Sequence, residues 1–205
     1  MLHECLTILR KDFSEVLLEN VNFKKASILD IGCGRKSIVS KICKRGYTVG
    51  VDGYKPYILE SKRKKIHDDY VLLDIQHLCF IKKSFDTVIM LDVLEHLPKE
   101  SGEKEIMEME FIAKKSTVIL TPNGFVKQGA RDGNLYQRHL SSWTAMELGD
   151  AGFRIKGING FKIFFKEECK PRINHPLCRL MIIFSQFIAY NYPQLAYHVL
   201  AIKKV

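Results

Sequence analysis

Apolar residues along this chain fall in short runs separated by stretches in which they recur every third or fourth position. The runs ASILDI (26–31), YTVGVD (47–52), YVLLD (70–74), FDTVIMLD (85–92) and STVILT (116–121) have the length of buried strands. Ahead of them, a leading segment (1–22) carries helical spacing over residues 4–19, with Leu6, Leu9, Phe13, Val16 and Leu17 on one side. KSIVSKICKRG (36–46) reads as a helix stopped by Gly46, with Lys44 and Arg45 in its last turn. YILESKRKKI (57–66) and residues 99–115 read as two more helices. Thr144 to Glu147 spells a capping box that opens a helix ending near Gly152. FRIKGI (153–158) and AYHVLAIKKV (196–205) supply the last two strands. Strands alternating with helices predict an α/β fold in one domain, 1–205, with a mostly parallel sheet and helices on both faces. In such sheets ligands bind at the carboxyl ends of the strands.

Composition changes this picture little. Charged residues make up 27% of the chain and hydrophobic ones 46%, the usual balance of a globular protein. The first thirteen residues are interrupted by His3, Glu4, Arg10, Lys11 and Asp12, so the expectation is a cytoplasmic protein. Cys5, Cys33, Cys43, Cys79, Cys169 and Cys178 are widely spaced, with no CxxC pair, and the histidines form neither HxxxH nor HExxH. Free thiols and no metal are therefore expected. The net charge of +9 is spread along the chain, densest at SKRKK (61–65). That run fits either a solvated helix face or a patch for an anionic partner.

The candidate chemistry begins at ILDIGCGRKSIVS (28–40). A phosphate loop needs a glycine before the lysine, and here Arg35 precedes Lys36. A nicotinamide fingerprint needs a third glycine, and Ser37 stands in its place. Asp30, just before Gly32 and Gly34, is a carboxylate that a pyrophosphate turn has no use for. It suits a cationic ligand by charge attraction. Asp52, twenty residues beyond Gly32, is placed to hold ribose hydroxyls, and Asp74, with Ile75 and Gln76, to hold an adenine amino group.

ILDIGCG, VGVDGY, LLDIQHL, FDTVIMLDVLEHLPKE and VILTPNG, in that order, resemble the class I S-adenosylmethionine (SAM)-dependent methyltransferases, in particular the type 11 methyltransferase domains. The resemblance covers residues 26–158 and the last strand. It implies a Rossmann-like sheet of seven strands with the last antiparallel, and SAM as cofactor, released as S-adenosylhomocysteine. It also implies that Asp30, Gly32, Cys33 and Gly34 approach the methionine portion and that Asp52 takes the ribose, with Gly53 and Tyr54 beside the adenine. Asp74 and Ile75 would bind the adenine, and Leu91 and Asp92 would line the cofactor's other side. Lys36, where many members carry a small residue, departs from the pattern.

Methyl transfer needs alignment of nucleophile, methyl and sulfur, and a base only where the acceptor must lose a proton. Glu95 and His96 follow the fourth strand, and His96 is the first candidate base. The 122–143 loop is long enough to serve as a lid. It offers His139 as a second base or acceptor contact, and Asn123, Arg131, Tyr136 and Trp143 as acceptor contacts beside Glu95. Its fragments PNGF, DGN, Q-x-H and SSW resemble methyltransferases of sugar or surface-glycan modification. The expected reaction is thus O-methylation of a small-molecule or glycan acceptor. RNA methylation is the alternative that the charge encourages, although no N-P-P-Y stands where LDVL does; a non-catalytic cofactor-binding subunit is the other. The insertion 160–194 is apolar but broken by Arg179, Ser185, Gln186 and Asn191, so no membrane span is expected. It fits a helix packed over the sheet, a homodimer contact, or a membrane-peripheral surface for a lipid-linked acceptor.

Overall fold

The computed structural model describes residues 13–43, 46–166, 172 and 176–205. The start of the predicted leading helix, with Leu6 and Leu9, lies outside the described residues, as do Cys5, Lys44, Arg45 and Cys169. In chain order the main elements are α1 (Phe13–Asn20), β1 (Ser27–Ile31), α2 (Val39–Ile42), β2 (Tyr47–Asp52), α3 (Lys55–Arg63), β3 (Asp69–Leu72) and β4 (Phe85–Leu91). They continue with α4 (Lys99–Ile112), β5 (Ala113–Pro122), α5 (Ala145–Asp150), β6 (Arg154–Phe161), α6 (Pro176–Asn191) and β7 (Ala196–Lys204). The strands form one sheet in the order β3-β2-β1-β4-β5-β7-β6. β1 to β5 pair in parallel, and β7 runs antiparallel to both β5 and β6. This is the predicted seven-stranded Rossmann-like sheet with its last strand reversed.

Successive strand residues point to opposite faces, and each face has its own core. Leu29, Ile31, Val88, Met90 and Ile119 pack with Ile106, Met109 and Ile112 of α4 and Leu148 of α5. Ile28, Ile89, Val118 and Leu120 pack with Val16 and Leu17 of α1 and Val39 and Ile42 of α2. All of these are at most 7% exposed, and each contributes about 1.5–3 kcal/mol relative to exposure. The chain crosses from one side of β1 to the other between β3 and β4. The resulting crevice at the carboxyl ends of β1 and β4 is where such a sheet binds ligands.

Two boundaries differ from the sequence reading. The helix after the glycine turn is only Val39–Ile42, and Cys43 is already extended, its thiol donating to the Ala26 carbonyl. β5 begins at Ala113 instead of Ser116, because Ala113 pairs in register with Phe85 at the start of β4 and draws Lys114 and Lys115 into the strand. The predicted capping box is present: Thr144 Oγ1 accepts from the Glu147 N–H, and Glu147 accepts from the Thr144 N–H.

Most of the insertion is α6, laid against the edge strand β6. A Cβ on Gly157 would stand 2.0 Å from the Ala189 carbonyl oxygen, so only glycine lets the helix approach this closely. Gln186 accepts from the Gly160 N–H at 2.7 Å and donates to the Gly157 carbonyl at 2.9 Å. Backbone groups that an edge strand would leave open are thereby satisfied. Among the described residues no helix is long and apolar enough to cross a membrane.

Candidate active site

The turn after β1 is shaped by what surrounds it. Gly32 has φ +70°, and a Cβ there would lie 2.3 Å from Val93 Cγ2, so this position accepts no side chain. Asp30, 2% exposed, is held below the turn by Ser37 Oγ, which donates to its Oδ2 at 2.5 Å. The buried His67 places Nε2 2.9 Å from the same oxygen. Ser37 thus occupies the third position of the glycine pattern for a reason: it ties the turn to the carboxylate beneath it. Neither partner of Asp30 was anticipated from sequence, although a serine replacing the third glycine was its visible sign.

At the end of β2, Asp52 Oδ2 accepts from the Gly34 N–H at 2.9 Å and Oδ1 from the Tyr54 N–H at 2.7 Å. Burial raises its carboxyl above the ordinary range, and the two N–H bonds oppose the rise. Each oxygen keeps a second lone pair, which a diol-binding carboxylate requires. Cys33, buried behind the turn, has its thiol pushed far up by burial and by Asp30, so it is an inert packing group.

A cleft of about 440 Å³ opens in front of this turn. Asp30, Gly32, Cys33, Gly34, Leu91 and Asp92 all line it, together with Lys36, Phe13 and, from the lid, Arg131 and Asp132. Gly53, Tyr54, Asp74 and Ile75 lie further along, at the ends of β2 and β3. There the lid is folded down: Tyr136 is the nearest side chain above Gly53, and Tyr54 Oη donates to the Asp132 carbonyl at 3.3 Å. Arg35 pairs with Asp132 at 2.6 Å, and Tyr57 Oη donates to the same carboxylate at 3.2 Å. Asp74 Oδ1 accepts from the Gln76 N–H at 3.0 Å, fixing the short turn that carries Ile75.

At the other end of the cleft the chain leaves β4 through Asp92, whose φ of 54° turns it sharply into the Leu94–His96 turn. Glu95, 3% exposed, accepts from Thr121 Oγ1 at 3.0 Å. Its carboxyl is held well above the usual range, by burial first and the nearby Asp92 charge second. The lid's far end is stitched to this turn: the Leu140 and Ser141 N–H groups donate to the Glu95 carbonyl at 2.8 and 3.1 Å. His96 and His139 meet edge to face, their centroids 4.8 Å apart. Each places Nδ1 on a backbone carbonyl, His96 on Arg138 at 3.1 Å and His139 on Val126 at 2.5 Å. A carbonyl can only accept, so Nδ1 carries the proton and Nε2 offers its lone pair. Burial holds both rings neutral at pH 7, His96 at about 4.

Two expected acceptor contacts are corrected by the structure. Asn123 is 6% exposed, and its amide donates to the Pro193, Gln194 and Ala196 carbonyls and accepts from the Ala145 N–H. It is a strut between β5, β7 and α5, with no polar atom left for an acceptor. Trp143, 3% exposed, packs in the core, gives its indole N–H to Ser141 and carries Lys99 on its ring face. Histidine 198 was missed. It places Nε2 3.7 Å from Asp92 and holds Asn159 at Nδ1, and a lone histidine inside the apolar run AYHVLAI was its signal.

Residues 29–126 match the family described as a methyltransferase domain. Over these residues the chain is similar to the class I SAM-dependent methyltransferases. It is 28% identical over 121 residues to the ubiquinone biosynthesis O-methyltransferase of Pelagibacter ubique, a match covering 57% of this chain and 46% of that protein. The chain thus spans about half the length of that relative. Magnesium protoporphyrin IX methyltransferase from Synechocystis PCC 6803, solved with bound SAM, superposes with a TM-score of 0.55 at 17% identity, over 97% of this chain and 78% of that one. A SAM-dependent methyltransferase from Mesorhizobium loti gives a TM-score of 0.59 at 14% identity, over 96% and 100%. At such identities the domain shares a fold with these structures, and its acceptor must be argued from its own residues.

Proposed function

We propose that this protein moves the methyl group of SAM to a hydroxyl oxygen of a small-molecule or glycan acceptor. The observation that carries the reading is the position of Asp92. It lines the cleft with the Asp30–Gly34 turn, and its charge acts on Glu95, so the polar cluster lies next to the end of the cleft that Asp92 lines. The sulfonium end of SAM suits the side of the cleft bearing Asp30 and Asp92. Its ribose suits Asp52, and its adenine the β3 end at Asp74 and Ile75, once Tyr136 and Asp132 lift away.

Glu95, His96 and His139 gather where an acceptor hydroxyl would meet the methyl group, and two neutral imidazoles with free Nε2 lone pairs suit loss of its proton. Arg131, which lines the cleft with Asp92, is the lid residue we assign to the acceptor, whereas Tyr136 sits over Gly53 at the adenine end. The O-methyltransferase named in the Pelagibacter comparison agrees with a hydroxyl acceptor. We also read the exposed stripe of α6, described below, as a surface that rests on an anionic bilayer and delivers a lipid-linked acceptor.

Calorimetry with S-adenosylhomocysteine tests the cofactor half: wild type binds one equivalent, and Asp52→Ala loses affinity by about 30-fold or more. An acceptor screen by mass spectrometry tests the rest, with His96→Ala and His139→Ala each lowering turnover about 100-fold. No binding of S-adenosylhomocysteine by the wild type would defeat the proposal.

A further inference from the structure

We propose that Glu95, His96 and His139 form a binding site for a divalent first-row cation, of the zinc or manganese class, that receives the acceptor's hydroxyl oxygen. The three side chains come from two places far apart in sequence, the turn after β4 and the end of the lid. One ligand-capable atom from each lies within 4.8 Å of the other two. Some point is then within about 2.8 Å of all three, and a closure of less than an ångström brings them to the ~2.0–2.2 Å of zinc bonds to nitrogen and oxygen.

The orientation is the stronger argument. Metal-ligating histidines give their other N–H to a carbonyl or carboxylate, which fixes ring and tautomer. Both rings here do so at Nδ1, His96 to Arg138 and His139 to Val126, which leaves Nε2 as the ligand atom of His139, while the His96 ring also lies within reach of the Asp92 carbonyl. Glu95 is fixed likewise by Thr121 Oγ1 and is 3% exposed, a position where a carboxylate lacking a cation is costly. Asp92 adds a second carboxylate beside it, while Arg131 is the nearby cation that acts on both rings. Two imidazoles and one carboxylate favour zinc, iron or manganese over calcium or magnesium, which prefer all-oxygen sets.

Three protein ligands leave positions open, the arrangement of catalytic sites. An ion held there would act as a Lewis acid on an acceptor hydroxyl and ease its ionisation, the proton passing to solvent. The oxygen then attacks the methyl carbon: the C–O bond forms, the C–S bond breaks, and its electron pair stays on sulfur in S-adenosylhomocysteine. That role rests on the methyltransferase reading, whereas the binding of the ion does not.

The test uses tag-free full-length protein stripped by chelator and titrated calorimetrically with Zn²⁺, Mn²⁺ and Mg²⁺. Wild type should take up one Zn²⁺ or Mn²⁺ per chain and Mg²⁺ far more weakly. Glu95→Gln and His139→Ala should each lose about 100-fold in affinity, while exposed His77→Ala stays within two-fold. Binding of S-adenosylhomocysteine by the same samples shows that each variant is folded. The cobalt-loaded wild type should show visible d–d bands, which need no variant at all. Absence of stoichiometric uptake, absence of those bands, or uptake unchanged in both variants overturns the site. Intact S-adenosylhomocysteine binding alongside such a result leaves the methyltransferase reading standing.

Discussion

Glu105 shows how a single side chain can be out of balance with its surroundings. It sits on α4 at 1% exposure with Oε2 unpartnered, and burial, then the neighbouring Glu108, raises its carboxyl to about 7. In the unfolded chain the same carboxyl titrates near 4.3. Between these values the folded state holds a proton that the unfolded state has lost, so stability falls as pH rises through the window. Glu105→Gln removes the titration and should stabilise the protein by about 2–3 kcal/mol at pH 8, with the gain shrinking toward zero at pH 4. Urea unfolding of both proteins at the two pH values measures this, and equal gains at both would refute it. Asp52 is half-buried, yet its oxygens are met by two N–H groups, which is the difference between a burden and a binding site.

At the scale of elements, the lid is the part that sets access. Arg35 to Asp132, Tyr57 to Asp132 and Tyr54 to the Asp132 backbone tie its middle across the ends of β1 and β2, while the Leu140 and Ser141 N–H groups tie its far end to Glu95. The middle ties are half-exposed, and pairs of that kind contribute only about 0.2–1 kcal/mol each. The far ties are two backbone bonds to the carbonyl of the buried Glu95, so the middle opens first. Asp132→Ala should therefore speed both entry and exit of S-adenosylhomocysteine by about 3- to 10-fold in stopped-flow, with little change in melting temperature. Unchanged rates would mean that the cofactor enters by another route. The strands were legible because their apolar runs end in Asp30, Asp52, Asp74 and Asp92, and burial against two helical layers leaves few other ways to place them. The lid's path was not, because Asp132 meets Arg35 across 97 residues and nothing local marks the pair. The same holds for Glu95, His96 and His139: spacing rules for metal ligands look within one segment, and these span two.

Among the described residues of the whole molecule, α6 presents an apolar face that the core does not use. Leu177, Met181, Phe184, Ile188 and Tyr192 recur at helical spacing along and just beyond α6, each between 50% and 64% exposed. Cys178, Gln186 and Ala189 on the opposite side are buried against β6 and its neighbours. Exposed Lys166, Arg172 and Arg179 lie in the same insertion, and the chain as a whole carries +9. An apolar stripe with cations beside it suits the interface of an anionic bilayer, where the side chains enter the acyl boundary and the charges meet headgroups. A second copy of this chain would bring the same cations together, so a bilayer is the better partner on charge grounds. Each large apolar side chain contributes about 1.5–3 kcal/mol when removed from water. Phe184→Glu, at an exposed position and therefore without cost to the fold, should lower partitioning onto phosphatidylglycerol vesicles by at least about 10-fold. The wild type should bind neutral phosphatidylcholine vesicles less tightly, and salt should weaken its binding to the anionic ones. Sedimentation with vesicles measures all three. Equal binding by wild type and Phe184→Glu, or a wild type that ignores anionic vesicles and runs as a dimer, would assign the stripe to a protein partner instead.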